Sequence, residues 1–288
     1  MKILISGAGG QLGLSLRQVL RTRDYDVIYL DRHELDITDS DAVYKIVSES
    51  KPNVVINAAA YTNVELAELE PEKAFAINER GARNLAKAAG YINSKLLHFS
   101  TDYVFSGANN KPWEVNDEKR PLSSYGKSKL AGENAIIEEI PDNFLIIRTA
   151  WLYSPFGKNF YKSILKLALI NDEPISVVND QFGQPTNAED LSNLAISALE
   201  NKVKSGIFHG TNSGSASWYD FAVEIFNLAG SDINRVKAIS TKDYKSKAVR
   251  PEYSVLDNSK WVDSGVVPLC PWKDSVARAF PSIQNSLS

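Results

Sequence analysis

Short, nearly all-apolar runs alternate with amphipathic stretches through the first half of the chain. Lys2–Ser6 (KILIS) stops at a glycine cluster and reads as a buried strand. Gln11–Thr22 carries Leu12, Leu16, Val19 and Leu20 at helical spacing. Asp26–Leu30 is a second strand. Asp39–Ser50 follows as an amphipathic helix with Asp39 as N-cap, and Pro52 closes it. Asn53–Asn57 is a third strand, and Pro71–Gly90 a long helix with Pro at its start and Gly at its end. Lys95–Ser100, Ser123–Glu139 and Asn143–Arg148 then read as strand, helix and strand.

Strands this short and apolar, separated by helices, belong to a parallel sheet covered on both faces. The expected fold is a Rossmann-type doubly wound α/β sheet, with residues 1–150 as the dinucleotide-binding domain. Beyond about residue 150 the alternation loosens. Asn171–Thr186 is rich in Pro, Gly, Asn and Asp, and Ser240–Lys260 is polar and irregular, with helices expected at Glu189–Glu200 and Ser217–Leu228 between them. Residues 151–288 are expected to form a smaller C-terminal substrate-binding lobe that partly returns to the sheet edge and faces the carboxyl ends of the strands.

Composition narrows the class. Hydrophobic residues make up 43% and charged residues 23% of 288, ordinary for a globular protein. The net charge of −3 and the lack of a basic run argue against nucleic acid as a partner. No run is long enough to span a membrane, and Met1-Lys2 leads straight into the first strand with no leader segment. The single cysteine, Cys270, cannot form an internal disulfide and fits a reducing cytosol, so a cytoplasmic location is expected.

The first strand runs into Gly7-Ala8-Gly9-Gly10-Gln11-Leu12-Gly13, with glycines every third residue. A pyrophosphate approaches a turn only where side chains are absent, and the helix behind it offers free N–H groups. Asp31 ends the second strand at about the spacing of a ribose-binding acid, and Arg32 follows at once. The acid favours NADH and the arginine can pair with a 2′-phosphate, so NADPH and NADH both stay open. Ile37, after Asp36, offers an apolar face to the adenine, and the small residues Ala58, Ala59 and Ala60 let the backbone approach the cofactor.

Carbonyl reduction needs a proton as well as a hydride. A tyrosine supplies it if a nearby cation lowers its pKa, and a lysine four residues along a helix shares its face. Tyr-x-x-x-Lys occurs twice, at Tyr91/Lys95 and Tyr125/Lys129. Gly90 stops a helix before Tyr91, so that pair spans a turn; Tyr125 and Lys129 lie within a helix. Ser100-Thr101-Asp102 closes the fourth strand nearby and offers a hydroxyl for the substrate oxygen.

Four segments together resemble the extended short-chain dehydrogenase family: Gly7-xx-Gly10-xx-Gly13, Asn57-Ala-Ala-Ala60-Tyr61-Thr62, Ser100-Thr-Asp-Tyr-Val-Phe105 and Tyr125-Gly-Lys-Ser-Lys129. Arg148-Thr-Ala-Trp151-Leu-Tyr153, Asn179-Asp-Gln-Phe-Gly-Gln-Pro-Thr186 and Trp218-Tyr-Asp-Phe-Ala222 narrow the likeness to its dTDP-4-dehydrorhamnose reductase branch. That resemblance implies reduction of the 4-keto group of a dTDP-linked deoxysugar. Thr101 would hold the keto oxygen, Tyr125 would donate the proton, and Lys129 would lower its pKa and bind the nicotinamide ribose. Thr101, Asp102 and Trp151 match sugar-binding positions, although Trp151 also reads as core packing. Gly10, Gln11, Leu12, Asp31, Asp36, Ile37, Ala60, Tyr61 and Thr62 match cofactor positions.

Some members of that branch form a dimer bridged by magnesium through three glutamates. Glu189 matches the middle one, but Ser15 stands at the first, and Phe280–Ser288 has no carboxylate. No metal is therefore expected, Glu189 reads as a helix N-terminal charge, and the chain as a monomer or weak homodimer. A sugar dehydratase of the same fold would carry Glu after Asp102 where Tyr103 stands. An epimerase needs much the same Tyr and Lys. The regulatory subunit of methionine adenosyltransferase, a non-catalytic relative, is the remaining alternative.

Overall fold

A computed structural model gives the architecture and describes residues 1–170, 172–244 and 246–287. Asn171, Lys245 and Ser288, which begin, interrupt or end three of the segments above, lie outside the described residues. The first half runs β1 Lys2–Ser6, α1 Gln11–Leu20, β2 Asp26–Leu30, α2 Ser40–Ser50, β3 Val54–Asn57, α3 Val64–Ala67, α4 Pro71–Phe75, α5 Ala82–Tyr91, β4 Lys95–Thr101, α6 Ser124–Glu139 and β5 Phe144–Thr149. The second half runs β6 Leu152–Tyr153, α7 Phe160–Ile170, β7 Ile175–Val178, β8 Phe182–Gly183, β9 Thr186–Asn187, α8 Ala188–Glu200, β10 Gly206–His209, β11 Ala216–Ser217, α9 Trp218–Leu228, β12 Val236–Ile239 and α10 Trp272–Asn285.

Six parallel strands form the main sheet in the order β10-β5-β4-β3-β1-β2. Alternation along each strand divides the side chains between two cores. Ile3, Ile5, Val54, Ile56, Leu145 and Ile147 face α1 and α8. Leu4, Val55, Leu96 and Ile146 face α2, α5 and α6 on the other side. The strand order reverses between β1 and β3, which puts the glycine turn after β1 beside the alanines after β3. Residues after 150 return to this sheet through β10 and α8, while α7, α9 and α10 enclose a separate core around Tyr161, Phe221, Phe226 and Trp272.

The long helix expected over Pro71–Gly90 is present with a correction. Ala76–Gly81 is wound as a π turn between α4 and α5. Asn78 lies in it, accepting from Tyr61 N at 2.8 Å and donating to Tyr61 O and Ser128 Oγ at 3.0 and 2.9 Å. Such bulges recur where a helix must re-aim one side chain. Elsewhere the expected boundaries move by a residue or two, because the capping residues sit just outside the helices. Asp39, Ser123 and Ser217 each accept from backbone N–H groups of the first turn.

Helix α6 is clamped in its seat by a buried ion pair. Glu133 and Arg148 are 1% and 0% exposed. Arg148 donates from Nε to Glu133 Oε1 at 2.9 Å and from Nη2 to Oε2 at 2.7 Å, and Ser100 Oγ also donates to Oε1. The third arm of the guanidinium reaches Val115 O at 3.0 Å. Removing one partner strands the other charge in the core, at a cost of about 3–5 kcal/mol. Glu133→Ala should therefore destabilise by about that much, while Glu133→Leu combined with Arg148→Met should lose far less. Urea unfolding of the three proteins checks this, and equal losses in the single and double variants would refute the pairing argument.

Candidate active site

The glycine turn is built from close approaches. Gly7 has φ +73°, and a Cβ on it would sit 2.5 Å from Ala59 N. A Cβ on Gly13 would sit 2.3 Å from Gly7 O, so α1 rests directly on the turn. Gly10 precedes α1 with no side-chain cap, and the first turn of the helix carries no acid. That leaves helix N–H groups for an anion, as a dinucleotide pyrophosphate requires. Behind the turn, Asn57 Oδ1 accepts from Ala59 N at 3.1 Å and Ser6 Oγ at 3.0 Å, which locks the end of β3 to the end of β1.

A cavity of about 790 Å³ opens over this turn and is lined by Gly7, Gly10, Asp31, Arg32, Asp36, Ile37 and residues 58–62. Asp31 Oδ1 accepts from His33 N and Glu34 N at 2.7 and 3.2 Å, which fixes its carboxylate at the rim. The backbone N–H and then the hydroxyl of Thr38 hold the Asp36 carboxyl below its ordinary range. Glycine turn, rim acid and small-residue strand end together fit a dinucleotide.

A second cavity, about 460 Å³, adjoins the first and shares Gly10, Ala58, Ala59, Ala60 and Thr62 with it. Gln11, Leu12, Thr101, Asp102, Tyr125, Lys129 and Trp151 line it. Gly13 lines neither cavity; it lies beneath the turn as a packing contact. Gln11 braces the junction, with Nε2 donating to Leu152 O at 3.1 Å and Oε1 accepting from Asn159 at 2.9 Å.

Tyr125 and Lys129 stand one turn apart on α6 near the end of β4, Lys129 buried and Tyr125 half-buried at the cavity wall. Burial pushes the Tyr125 phenol up to about 12, and a hydrogen bond with Thr101 offsets part of this. Lys129 is drawn down to about 8 by burial, against the pull of Glu133. Its Nζ donates to Phe99 O at 2.6 Å and lies 3.2 Å from His98 Nε2, so it is directed at the strand rather than at the phenol. Thr101 Oγ1 donates to Asp102 Oδ1 at 2.9 Å and accepts from Tyr103 N at 3.2 Å. The other Tyr/Lys pair is separated: Tyr91 ends α5 with 69% exposure, whereas Lys95 opens β4 and reaches Val203 O.

The chain matches the model of the RmlD substrate binding domain over residues 1–285. It belongs to that family. A dTDP-4-dehydrorhamnose reductase of Streptomyces griseus is 42% identical over 284 residues, covering 97% of this chain and 93% of that one. A dTDP-4-dehydrorhamnose reductase structure from Clostridium acetobutylicum superposes with a TM-score of 0.94 at 43% identity, covering 99% of this chain and all of that one. The Bacillus anthracis reductase, solved in complex with NADP, gives 0.93 at 37% identity, covering 97% and 98%.

This family member has site residues that its motifs did not announce. Thr149, Trp218 and Arg250 line the second cavity from the end of β5, the start of α9 and the polar stretch before Ser254. Trp218 lies in a quoted segment that had no role assigned, and Arg250 lies in one with no pattern at all. His98 is hidden by its position inside a strand, where it reads as core. Glu189, as expected, lies in the first turn of α8. Among the described residues, no three His, Cys, Asp or Glu side chains gather as a metal site, and no helix is long and apolar enough to cross a membrane.

Three buried polar atoms of the second cavity lack partners: Asp102 Oδ2, Thr149 Oγ1 and Arg250 Nε. Burial pushes the Asp102 carboxyl up to about 6 from 3.8. Its folded pKa lies above the unfolded one, so its contribution to stability is full below about 3.8 and is lost as pH rises through about 6. That gap is worth about 3 kcal/mol at neutral pH. Asp102→Asn should therefore stabilise the fold by up to about 3 kcal/mol near pH 7.5, a gain that fades as the pH falls to about 4. Urea unfolding at both pH values reads this out, and a pH-independent difference would contradict it.

Proposed function

We propose that this chain is an NAD(P)H-dependent oxidoreductase that reduces the 4-keto group of dTDP-4-dehydro-L-rhamnose to dTDP-L-rhamnose, the last step of dTDP-rhamnose biosynthesis. The observation that carries this reading is that Thr101, Tyr125 and Lys129 together line the second cavity, which adjoins the dinucleotide-fitting cleft. Membership of the RmlD family and the reductase names of the relatives support it.

Gly7, Gly10, Gln11, Leu12 and Gly13 hold the pyrophosphate turn. Asp31 takes the ribose hydroxyls, Arg32 a 2′-phosphate, and Asp36 with Ile37 the adenine side. Residues 58–62 line the floor beneath the nicotinamide half. Both NADPH and NADH suit this set, and the NADP complex of the Bacillus anthracis relative favours NADPH. The bound nicotinamide supplies the hydride. Thr101 turns its hydroxyl from Asp102 Oδ1 to donate a hydrogen bond to the keto oxygen. Tyr125, held protonated at neutral pH by its burial, gives that oxygen its proton. Lys129, turning its Nζ from Phe99 O toward the cleft, binds the nicotinamide ribose and stabilises the phenolate left behind. Asp102 and Trp151 contact the sugar.

Residues 1–150 act as the cofactor domain and residues 151–288 as the lobe that completes the sugar site. The protein works in the cytoplasm as a monomer or weak homodimer, with neither nucleic acid nor metal.

Purified protein should oxidise NADPH or NADH only when dTDP-4-dehydro-L-rhamnose is supplied, as followed by the loss of nicotinamide absorbance. Tyr125→Phe should cut turnover by at least ~10²-fold and leave cofactor affinity nearly intact, while Tyr91→Phe changes neither. An equal loss in both variants would place the chemistry elsewhere. Turnover should also fall as pH rises through about 8, where Lys129 gives up its proton, and Lys129→Arg should move that limb to higher pH. A profile flat to pH 9.5, on the order of 1.5 units above that value, would remove the need for a charged lysine.

A further inference from the structure

Two motifs singled out in the sequence, residues 179–186 and 218–222, take no part in the chemistry above, yet both converge on Trp151. Its backbone is left-handed at φ +46°, a conformation rare for a large side chain. Its indole is stacked on that of Trp218 with centroids 3.6 Å apart and planes within 10°. Both rings line the second cavity. Phe160 packs against the far ring at 4.6 Å.

Gly183 lies directly behind the near ring. A Cβ there would stand 2.5 Å from Trp151 Cε2 and 2.8 Å from its Nε1, closer than any real contact allows. The glycine cannot retreat. Gly183 pairs with Ala216 and Phe182 with Ser217 in the β8–β11 ladder, and Ser217 then caps α9 immediately before Trp218. Gln184 closes a two-way bond with the Leu256 backbone, donating at 3.2 Å and accepting at 2.8 Å. Thr186 N donates to Trp151 O at 3.2 Å, which ties the end of the motif to the strained residue itself.

We propose that Gly183 and Trp218 are positioning residues that set the pose of the Trp151 indole, and with it the affinity for the sugar, without entering the proton transfer. The proposal rests on Trp151 being a wall of the sugar site. Gly183 admits the indole edge and Trp218 presses on its face. Between them they hold a flat apolar plate at a backbone angle that Trp151 would otherwise leave. A 6-deoxy sugar, with an apolar methyl in place of a hydroxymethyl, is the kind of ligand such a plate suits.

The test compares Gly183→Ala, Trp218→Ala and Trp218→Phe with the wild type. Two stacked indoles couple their transitions and give a signed couplet in circular dichroism. Among the described residues this is the only contact between two tryptophan rings. Gly183→Ala should distort the couplet and raise KM for dTDP-4-dehydro-L-rhamnose roughly tenfold, with kcat within about threefold and NADPH dissociation unchanged. Trp218→Ala should behave like Gly183→Ala, and Trp218→Phe, which keeps a ring against Trp151, should raise KM by less than Trp218→Ala does. An unchanged couplet in Gly183→Ala, or a distorted couplet with wild-type KM, overturns the proposal. A wild-type protein that oxidises no cofactor with this sugar overturns the reductase reading instead, and the couplets of wild type and Gly183→Ala still decide whether Gly183 sets the stack.

Discussion

The buried pair of Glu133 and Arg148 is the contact on which the placement of everything reactive depends. Tyr125, Lys129 and Glu133 occur four residues apart along α6, so one stripe of the helix carries the phenol, the amine and the anchor. Arg148 comes from β5 and Ser100 from β4, so the anchor is fastened to two adjacent strands at once. The upper end of the helix is held by backbone proximity. A Cβ on Gly126 would meet Tyr103 O at 2.3 Å, and one on Gly132 would meet Asn78 O at 2.1 Å. With the anchor buried and the approach this close, the helix has little freedom to slide along the sheet. Tyr125 thereby stays at the mouth of β4.

The same economy governs the other wall of the cleft. The glycine turn and the alanines after β3 form a floor with no side chain tall enough to keep a dinucleotide away, and Asn57 joins their two strands. The opposite wall is aromatic and is assembled from three distant segments. A floor that binds a phosphate-bearing cofactor must be polar and open. A wall that faces a deoxysugar gains from being apolar and rigid. The chain separates the two demands, placing the first in the N-terminal half and most of the second after residue 150.

This separation explains what could be read from the sequence and what could not. The first five strands were legible because each is short, mostly apolar and bounded by turn residues; four are largely buried, and β2 is the half-buried edge. Helix α7 was not, because Leu167, Leu169 and Ile170 are apolar and exposed alongside the buried Tyr161, Ile164, Leu165 and Ala168, so its apolar run hides the helical period. Helix α10 holds Pro281 in its interior, which reads as a breaker. At the site, Thr101, Tyr125 and Lys129 stood out through spacing and family pattern. Thr149 lies inside a family segment without a role of its own there, and His98 and Arg250 carry no local signature. They matter because strand register and a long crossover bring them together: Thr149 lies opposite Thr101 in the β4–β5 register, and Arg250 is fastened to Glu65 of α3 at 3.1 Å.

The distribution of unsatisfied groups sharpens the distinction between scaffold and site. Buried polar atoms elsewhere are paired with care, as Glu133, Asn57 and Asn78 each show through several bonds. Three of the five orphaned side-chain atoms among the described residues belong to Asp102, Thr149 and Arg250, all in the wall of one cavity. An unpaired buried group costs about 1–3 kcal/mol, and a left-handed Trp151 adds about 1–3 kcal/mol more. A fold with a net stability of only about 5–15 kcal/mol does not concentrate such costs in one place without a use for them. An acceptor, a hydroxyl and a guanidinium donor left unpaired around an apolar indole plate make a surface complementary to a polyhydroxylated ring with one apolar face. Asp102 and Thr149 stand at the ends of β4 and β5, the two strands that the rigid pair behind α6 ties together.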